Sequence, residues 1–93
     1  MNAQVNVKHD GAADVLYVLR NVARVSISRE APDDGYMILN YDSFGSIVGV
    51  QLMCASEMDM NYWRSHPDRS VLPVDILAEL DSWFDRHIEA RNH

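Results

Sequence analysis

The sequence predicts an α+β domain, a small antiparallel β-meander packed against a C-terminal amphipathic α-helix. Three observations carry this. The first half holds short β-branched and aromatic runs divided by turn residues. The last third switches to an apolar stripe at helical spacing. The 93 residues suit a single domain with one core. Residues 1–93 are read as one domain, with the sheet over about 4–54 and a helical tail over about 56–91.

The strands follow in order. Val5 and Val7 alternate with Asn6 and Lys8, a half-buried edge strand. His9 to Asp14 is expected to turn. Val15-Leu16-Tyr17-Val18-Leu19 is nearly all apolar and suits a central strand. Between Val22 and Arg29, the set Ala23, Val25, Ile27 and Arg29 is the more apolar and is expected to face the core. Ala31-Pro32-Asp33-Asp34-Gly35 is a turn, with Asp-Gly supplying a site that tolerates positive φ. Tyr36–Tyr41 and Ile47–Cys54 are strands joined by Asp42-Ser43-Phe44-Gly45. Gly49, inside the second, marks a bulge or a close backbone approach.

Beyond Ala55 the period changes. Ser56 and Asp59 resemble a capping box for a short helix through Met58, Tyr62 and Trp63. Ser65-His66-Pro67 stops it, because the residue before proline leaves the helical region. Pro73 opens the last helix, with Asp75 in its favourable first turn. Ile76, Leu77, Leu80, Trp83, Phe84 and Ile88 form its apolar stripe. Leu80, Trp83 and Phe84 are expected against Val15–Leu19 and Val48–Leu52.

Composition narrows the function classes. Hydrophobic residues make up 47% and charged residues 24%, the balance of a globular chain rather than a disordered one. The formal net charge is -6, and no two of the eight basic residues are adjacent, so neither nucleic acid nor an anionic membrane is an expected partner. A single cysteine, Cys54, permits no internal disulfide and suits a reducing compartment. No apolar run is long enough for a spanning helix, and Met1 to Lys8 lacks the apolar region of a secretory signal. A cytoplasmic protein is expected.

Asp10, Asp14 and Asp42 are acidic residues expected at turn or strand boundaries. Asp10 and Asp42 are expected to cap turns. The sharper alternative, a cation held by convergent carboxylates, lacks a regular ligand loop. His9, His66, His87 and His93 share no ligand spacing, so no metal is expected. His66 and Asp68 are explained by a polar loop, and Cys54 by a small core position. Neither a phosphate loop nor a nucleophile elbow is present, so neither a catalytic residue nor a cofactor is assigned. Met58, Met60, Tyr62, Trp63 and Arg64 form an aromatic and methionine cluster. It is either a satellite of the core or an interaction surface.

Taken together, Ala13-Asp14-Val15-Leu16-Tyr17-Val18, Asn40-Tyr41-Asp42-Ser43-Phe44-Gly45 and Ile47-Val48-Gly49-Val50-Gln51-Leu52 resemble the bacterial and archaeal family catalogued as domain of unknown function 2283. The resemblance spans about residues 5–56. It implies a small antiparallel sheet with a helix against it, and no established activity. His9 stands where that family has Tyr, Asn40 where it has Asp, and Gln51 where it has Glu. Two carboxylates are thereby missing.

These residues lead to the expectation of a small non-enzymatic protein that acts through a homodimer or a protein partner. Val15–Leu19 is apolar at both parities, so a sheet covered on one face only would leave apolar surface on the other. The alternative is a small enzyme or a metal- or ligand-binding domain using Asp10, Asp14 and Asp42.

Overall fold

A computed structural model describes residues 5–89. Residue 4, residues 90–91 and His93, which figure in the expectations above, lie outside the described residues. Five strands form one antiparallel sheet: β1 (Val5–Asp10), β2 (Val15–Arg20), β3 (Ile27–Ala31), β4 (Asp34–Tyr41) and β5 (Ile47–Met53). Two helices follow, α1 (Met60–Arg64) and α2 (Val74–Phe84). A π-turn, Asp85–Glu89, continues α2. Short 3-10 turns at Ala55–Glu57 and Pro67–Val71 flank α1. The α+β class is as the sequence predicts.

The strand order is β1-β2-β5-β4-β3. Three of its four pairings join strands consecutive in the chain, as in a meander. The fourth joins β2 to β5, with Leu16 opposite Leu52 and Val18 opposite Val50. This carries β3 to the far edge, through an irregular passage at residues 21–26. The expected strand over Val22–Arg29 therefore starts only at Ile27. Ile27 and Arg29 stand opposite Tyr41 and Leu39, on the core side of the sheet as expected, but with Val25 they are exposed at its edge. The helix α2 packs chiefly on β1, β2 and β5, so the β3 edge lies beyond its cover.

The turns follow side-chain chemistry. Asp10 Oδ1 accepts from the backbone N–H groups of Ala12 and Ala13, at 3.1 and 3.3 Å. Asp42 Oδ1 accepts from Phe44 and Ser46, at 2.9 and 3.0 Å. Both are the turn caps expected of Asp. The β3–β4 turn is tighter than expected, only Pro32-Asp33, and Gly35 lies inside β4 without a positive φ. Gly45, at φ 83, takes the left-handed position in the β4–β5 turn. Gly49 meets the expected close approach. A Cβ there would stand 2.6 Å from Leu19 Cδ1 and 3.0 Å from the Val18 carbonyl oxygen.

One face of the sheet carries the core. Leu16, Val18, Met37, Leu39, Val50 and Leu52 pack there with Ile76, Leu80, Trp83, Phe84 and Ile88 of the C-terminal stripe. Burial of each such side chain contributes about 1.5–3 kcal/mol. Arg20, at the end of β2, makes a two-pronged ion pair with Asp75 in the first turn of α2, at 2.8 and 3.0 Å. Pro73 is the residue before the helix rather than its first member.

Candidate functional site

The three boundary aspartates do not converge. Asp10 and Asp14 adjoin the Met53 end of β5, whereas Asp42 adjoins its Ile47 end. At about 3.4 Å per residue those ends are about 20 Å apart. Asp14 takes a left-handed backbone, φ 53, which Asp tolerates. Its carboxylate accepts from Ser56 N–H and from Ser56 Oγ, the latter at 2.7 Å, and pairs with His9 Nε2 at 2.7 Å. Burial would raise its pKa, but the hydrogen bonds from His9 and Ser56 outweigh it and hold the carboxyl below its usual value. Ser56 is thus engaged with Asp14. The expected capping box gives way to Asp59, whose Oδ1 accepts from Tyr62 N–H at 2.7 Å. Among the described residues no group of three or more His, Cys, Asp or Glu is placed to hold a metal ion.

The aromatic and methionine cluster divides. Met58, Met60 and Trp63 are buried in the core, while Tyr62 and Arg64 remain exposed. Trp63 stacks on Phe84, with ring centroids 4.8 Å apart and planes 8° from parallel. Its Nε1 donates to Asp81 Oδ1 at 2.7 Å. Arg69 sits 4.9 Å over the Trp63 ring and pairs with the same Asp81. Burial raises the Asp81 carboxyl, but Arg69 and Trp63 outweigh that and lower it.

His66 and Asp68 are buried rather than in an exposed polar loop. The His66 side chain is 1% exposed, and Asp34, which the sequence reading did not single out, pairs with its Nε2 at 2.6 Å. Nδ1 accepts from the Asp68 backbone N–H at 3.1 Å, so the ring proton belongs on Nε2, facing Asp34. Tyr62 Oη donates to the same Asp34 oxygen. Burial and Asp34 push the Tyr62 phenol up to about 12, which keeps its proton in that bond. Burial raises the Asp34 carboxyl, but Tyr62 and His66 more than reverse this. Burial also raises Asp68, whose Oδ2 accepts from Asp33 N–H at 3.2 Å. The bonds from Tyr62 and His66 to Asp34 and from Asp33 N–H to Asp68 join the β3–β4 turn and the start of β4 to the segment before α2.

Beside the cluster, Tyr36, Cys54, Glu57, Met58, Asp59 and Tyr62 line a groove of about 320 Å³. Cys54 is half-buried there, at φ 54 where the chain leaves β5, and not in the core.

The largest uncommitted feature is the other face of the sheet. The buried side chains of α1 and α2 all belong to the core cluster on the first face. Residues directly opposite in antiparallel strands share a face, and alternate residues switch faces. The registers therefore align Lys8, Tyr17, Gln51, Ile38 and Glu30 in one row across all five strands of the second face. A neighbouring row runs Asn6, Leu19, Gly49, Asn40 and Ser28, where Ser28 Oγ donates to Asn40 Oδ1 at 2.8 Å. Gly49 provides the gap into which Leu19 leans. Asp10, Val15 and Met53 form part of a third row. The apolar residues stand on the three inner strands, and Lys8 and Glu30 hold opposite edges. Lys8 and Glu30 gain their place only from strand pairing, which no sequence motif announces.

Among the described residues no helix is long and apolar enough to cross a membrane. No family model, curated protein or solved structure matches the chain.

Proposed function

We propose that this chain is a small non-enzymatic module that works by association, through the sheet face its own helices leave open. The observation that carries this reading is the row Lys8, Tyr17, Gln51, Ile38 and Glu30, in which Tyr17 and Ile38 flank a central Gln51 and the two rims are charged. Aromatic and aliphatic side chains inside a charged margin are the anatomy of a protein–protein contact. Tyr17 is 37% exposed, a cost that a covering surface would remove. The alternative, an enzyme or ligand site built on Asp10, Asp14 and Asp42, draws less support, since Asp42 stands at the other end of the strands. Kinship with domain of unknown function 2283 belongs to the same proposal, resting on Ala13 to Val18, Asn40 to Gly45 and Ile47 to Leu52. So does a cytoplasmic setting, which suits the free thiol of Cys54.

The test is a photo-crosslinking residue placed at Tyr17 in living cells, with the same residue at Val74 as control. Val74 is 84% exposed on α2. Discrete adducts from position 17 and none from position 74 support the reading. Absence of adducts at 17, or equal adducts at both, overturns it.

A further inference from the structure

We infer that the partner for the open face is a second copy of this chain, seated face to face about a two-fold axis that runs along β5. This rests on the association reading above and names its partner.

The order of side chains in the central row carries the inference. Across the strands it reads Lys8, Tyr17, Gln51, Ile38, Glu30, with Gln51 of β5 in the middle. A two-fold axis along β5 reverses the row from left to right and turns it over onto itself. Lys8 then meets the second copy's Glu30, and Glu30 meets the second copy's Lys8. Tyr17 lies over Ile38 on both sides, and the two Gln51 amides face each other at the axis. A primary amide carries both donor and acceptor groups, so two copies pair with each other. Every position in the row finds a complement, which is the self-complementarity that an isologous contact requires.

The other in-plane axis, at right angles to the strands, is a worse match. It lays β1 over β1 and β3 over β3, so Lys8 meets Lys8 and Glu30 meets Glu30. Like charges in register oppose that arrangement. The rim charges thus select between the two ways of stacking identical sheets, while the inner side chains supply the contact. Sheets packed face to face keep their strands roughly aligned, as the axis along β5 demands. In the third row the same axis lays Met53 over Met53.

Size sets the strength. Strands about 4.8 Å apart and about 3.4 Å per residue give a five-strand face of roughly 500 Å² in plan. Two such faces bury about 1,000 Å², the lower limit for a specific interface. The dimer is accordingly a dissociable one, with an expected midpoint in the micromolar range.

The charge pattern allows a test that unfolding cannot imitate. Light scattering over a dilution series is run on the wild type, Lys8→Glu, Glu30→Lys, and an equal mixture of the two variants. Both positions are exposed, and thermal melts verify that each variant folds. The wild type dimerises. Each variant alone sets like charges at both rims and weakens dimerisation about ten-fold or more. The mixture restores it, because one chain is negative at both edges and the other positive at both. A wild type of single-chain mass at every concentration overturns the inference, as does a variant that dimerises unimpaired or a mixture without rescue. These failures are separable from failure of the association reading. Crosslinks from position 17 to a different protein sustain that reading and remove only the second copy.

Discussion

His66 Nε2 stands 2.6 Å from Asp34 Oδ2, and the two side chains are 1% and 8% exposed. The pair spans the turn into β4 and the segment before α2. It is a buried polar joint, flanked by Asp68 and the Tyr62 hydroxyl. Removing one member of such a pair leaves the other without its partner, which costs about 2–5 kcal/mol. His66→Ala is therefore expected to lower the unfolding free energy by that amount, read as a lower urea midpoint with the slope unchanged. An unshifted midpoint would show that the joint carries no weight.

Asp68→Asn is expected to behave differently from its neighbour. Burial raises the Asp68 carboxyl, so the charged form is disfavoured in the folded chain. An amide oxygen still accepts from Asp33 N–H. At neutral pH the substitution should be neutral or stabilising, and its advantage should shrink as acid protonates the wild-type group. Paired melts at pH 7 and pH 4 give the comparison. A large loss at pH 7 contradicts it.

Acid should unfold the protein through four other carboxylates. Arg20 lowers Asp75, while Asp14, Asp34 and Asp81 are lowered by hydrogen bonds that outweigh their burial. A carboxyl depressed in the folded state contributes stability above its unfolded pKa of about 4 and loses it as pH falls through the folded value. Stability should hold from pH 7 to about pH 5 and decline below about pH 4. Asp68, shifted the other way, blunts the decline without reversing it. Rising stability from pH 4 to pH 2 would contradict the sign.

Leu80→Ala removes a fully buried side chain between α2 and the sheet. The transfer and cavity terms together cost about 2–5 kcal/mol. In so small a domain that is a large share of the total. A melting temperature equal to the wild type would exclude the packing.

Gly49→Ala tests the second face. The new methyl would stand 2.6 Å from Leu19 Cδ1, 3.1 Å from Asn40 Nδ2 and 3.0 Å from the Val18 carbonyl oxygen. Leu19 can rotate away, but the carbonyl belongs to the strand. Overpacking of this kind costs about 1–3 kcal/mol. Unfolding by denaturant reads it, and an unaltered midpoint would contradict the close approach.

The apolar stripe from Ile76 to Ile88 was legible in the sequence because one period of 3.6 controls it. The strand β2 was legible for a similar local reason, its dense β-branched run. The turn roles of Asp10 and Asp42 were legible because Asp bonds its own following backbone. What escaped was non-local. Nothing within Val15–Leu19 or Ile47–Met53 says that they are neighbours, so the passage to β3 was read as a strand with a core face. Asp34 was placed in a turn, and its partner His66 arrives from across the fold. Trp63 was offered both as core and as surface, a choice settled by Phe84 and Asp81 on α2. The open-face row was invisible for the same reason, since each of its members comes from a different strand.

The pairing of β2 with β5 has a kinetic consequence. It divides the sheet into two pieces that each close through short loops, the β1–β2 hairpin and the β3–β4–β5 unit. Only the seam between them, from Val15 opposite Met53 to Leu19 opposite Gly49, demands closure of a long loop. The loop entropy must be spent before the seam's contacts reward it, so contact order concentrates there. Helix α2 rests on β1, β2 and β5 and thus straddles the seam. Docking of the two pieces under α2 is the expected rate-limiting event. Substitutions such as Val18→Ala and Val50→Ala, on either side of the seam, should slow refolding in a chevron experiment. Substitutions in the β3–β4 turn should change the unfolding limb instead.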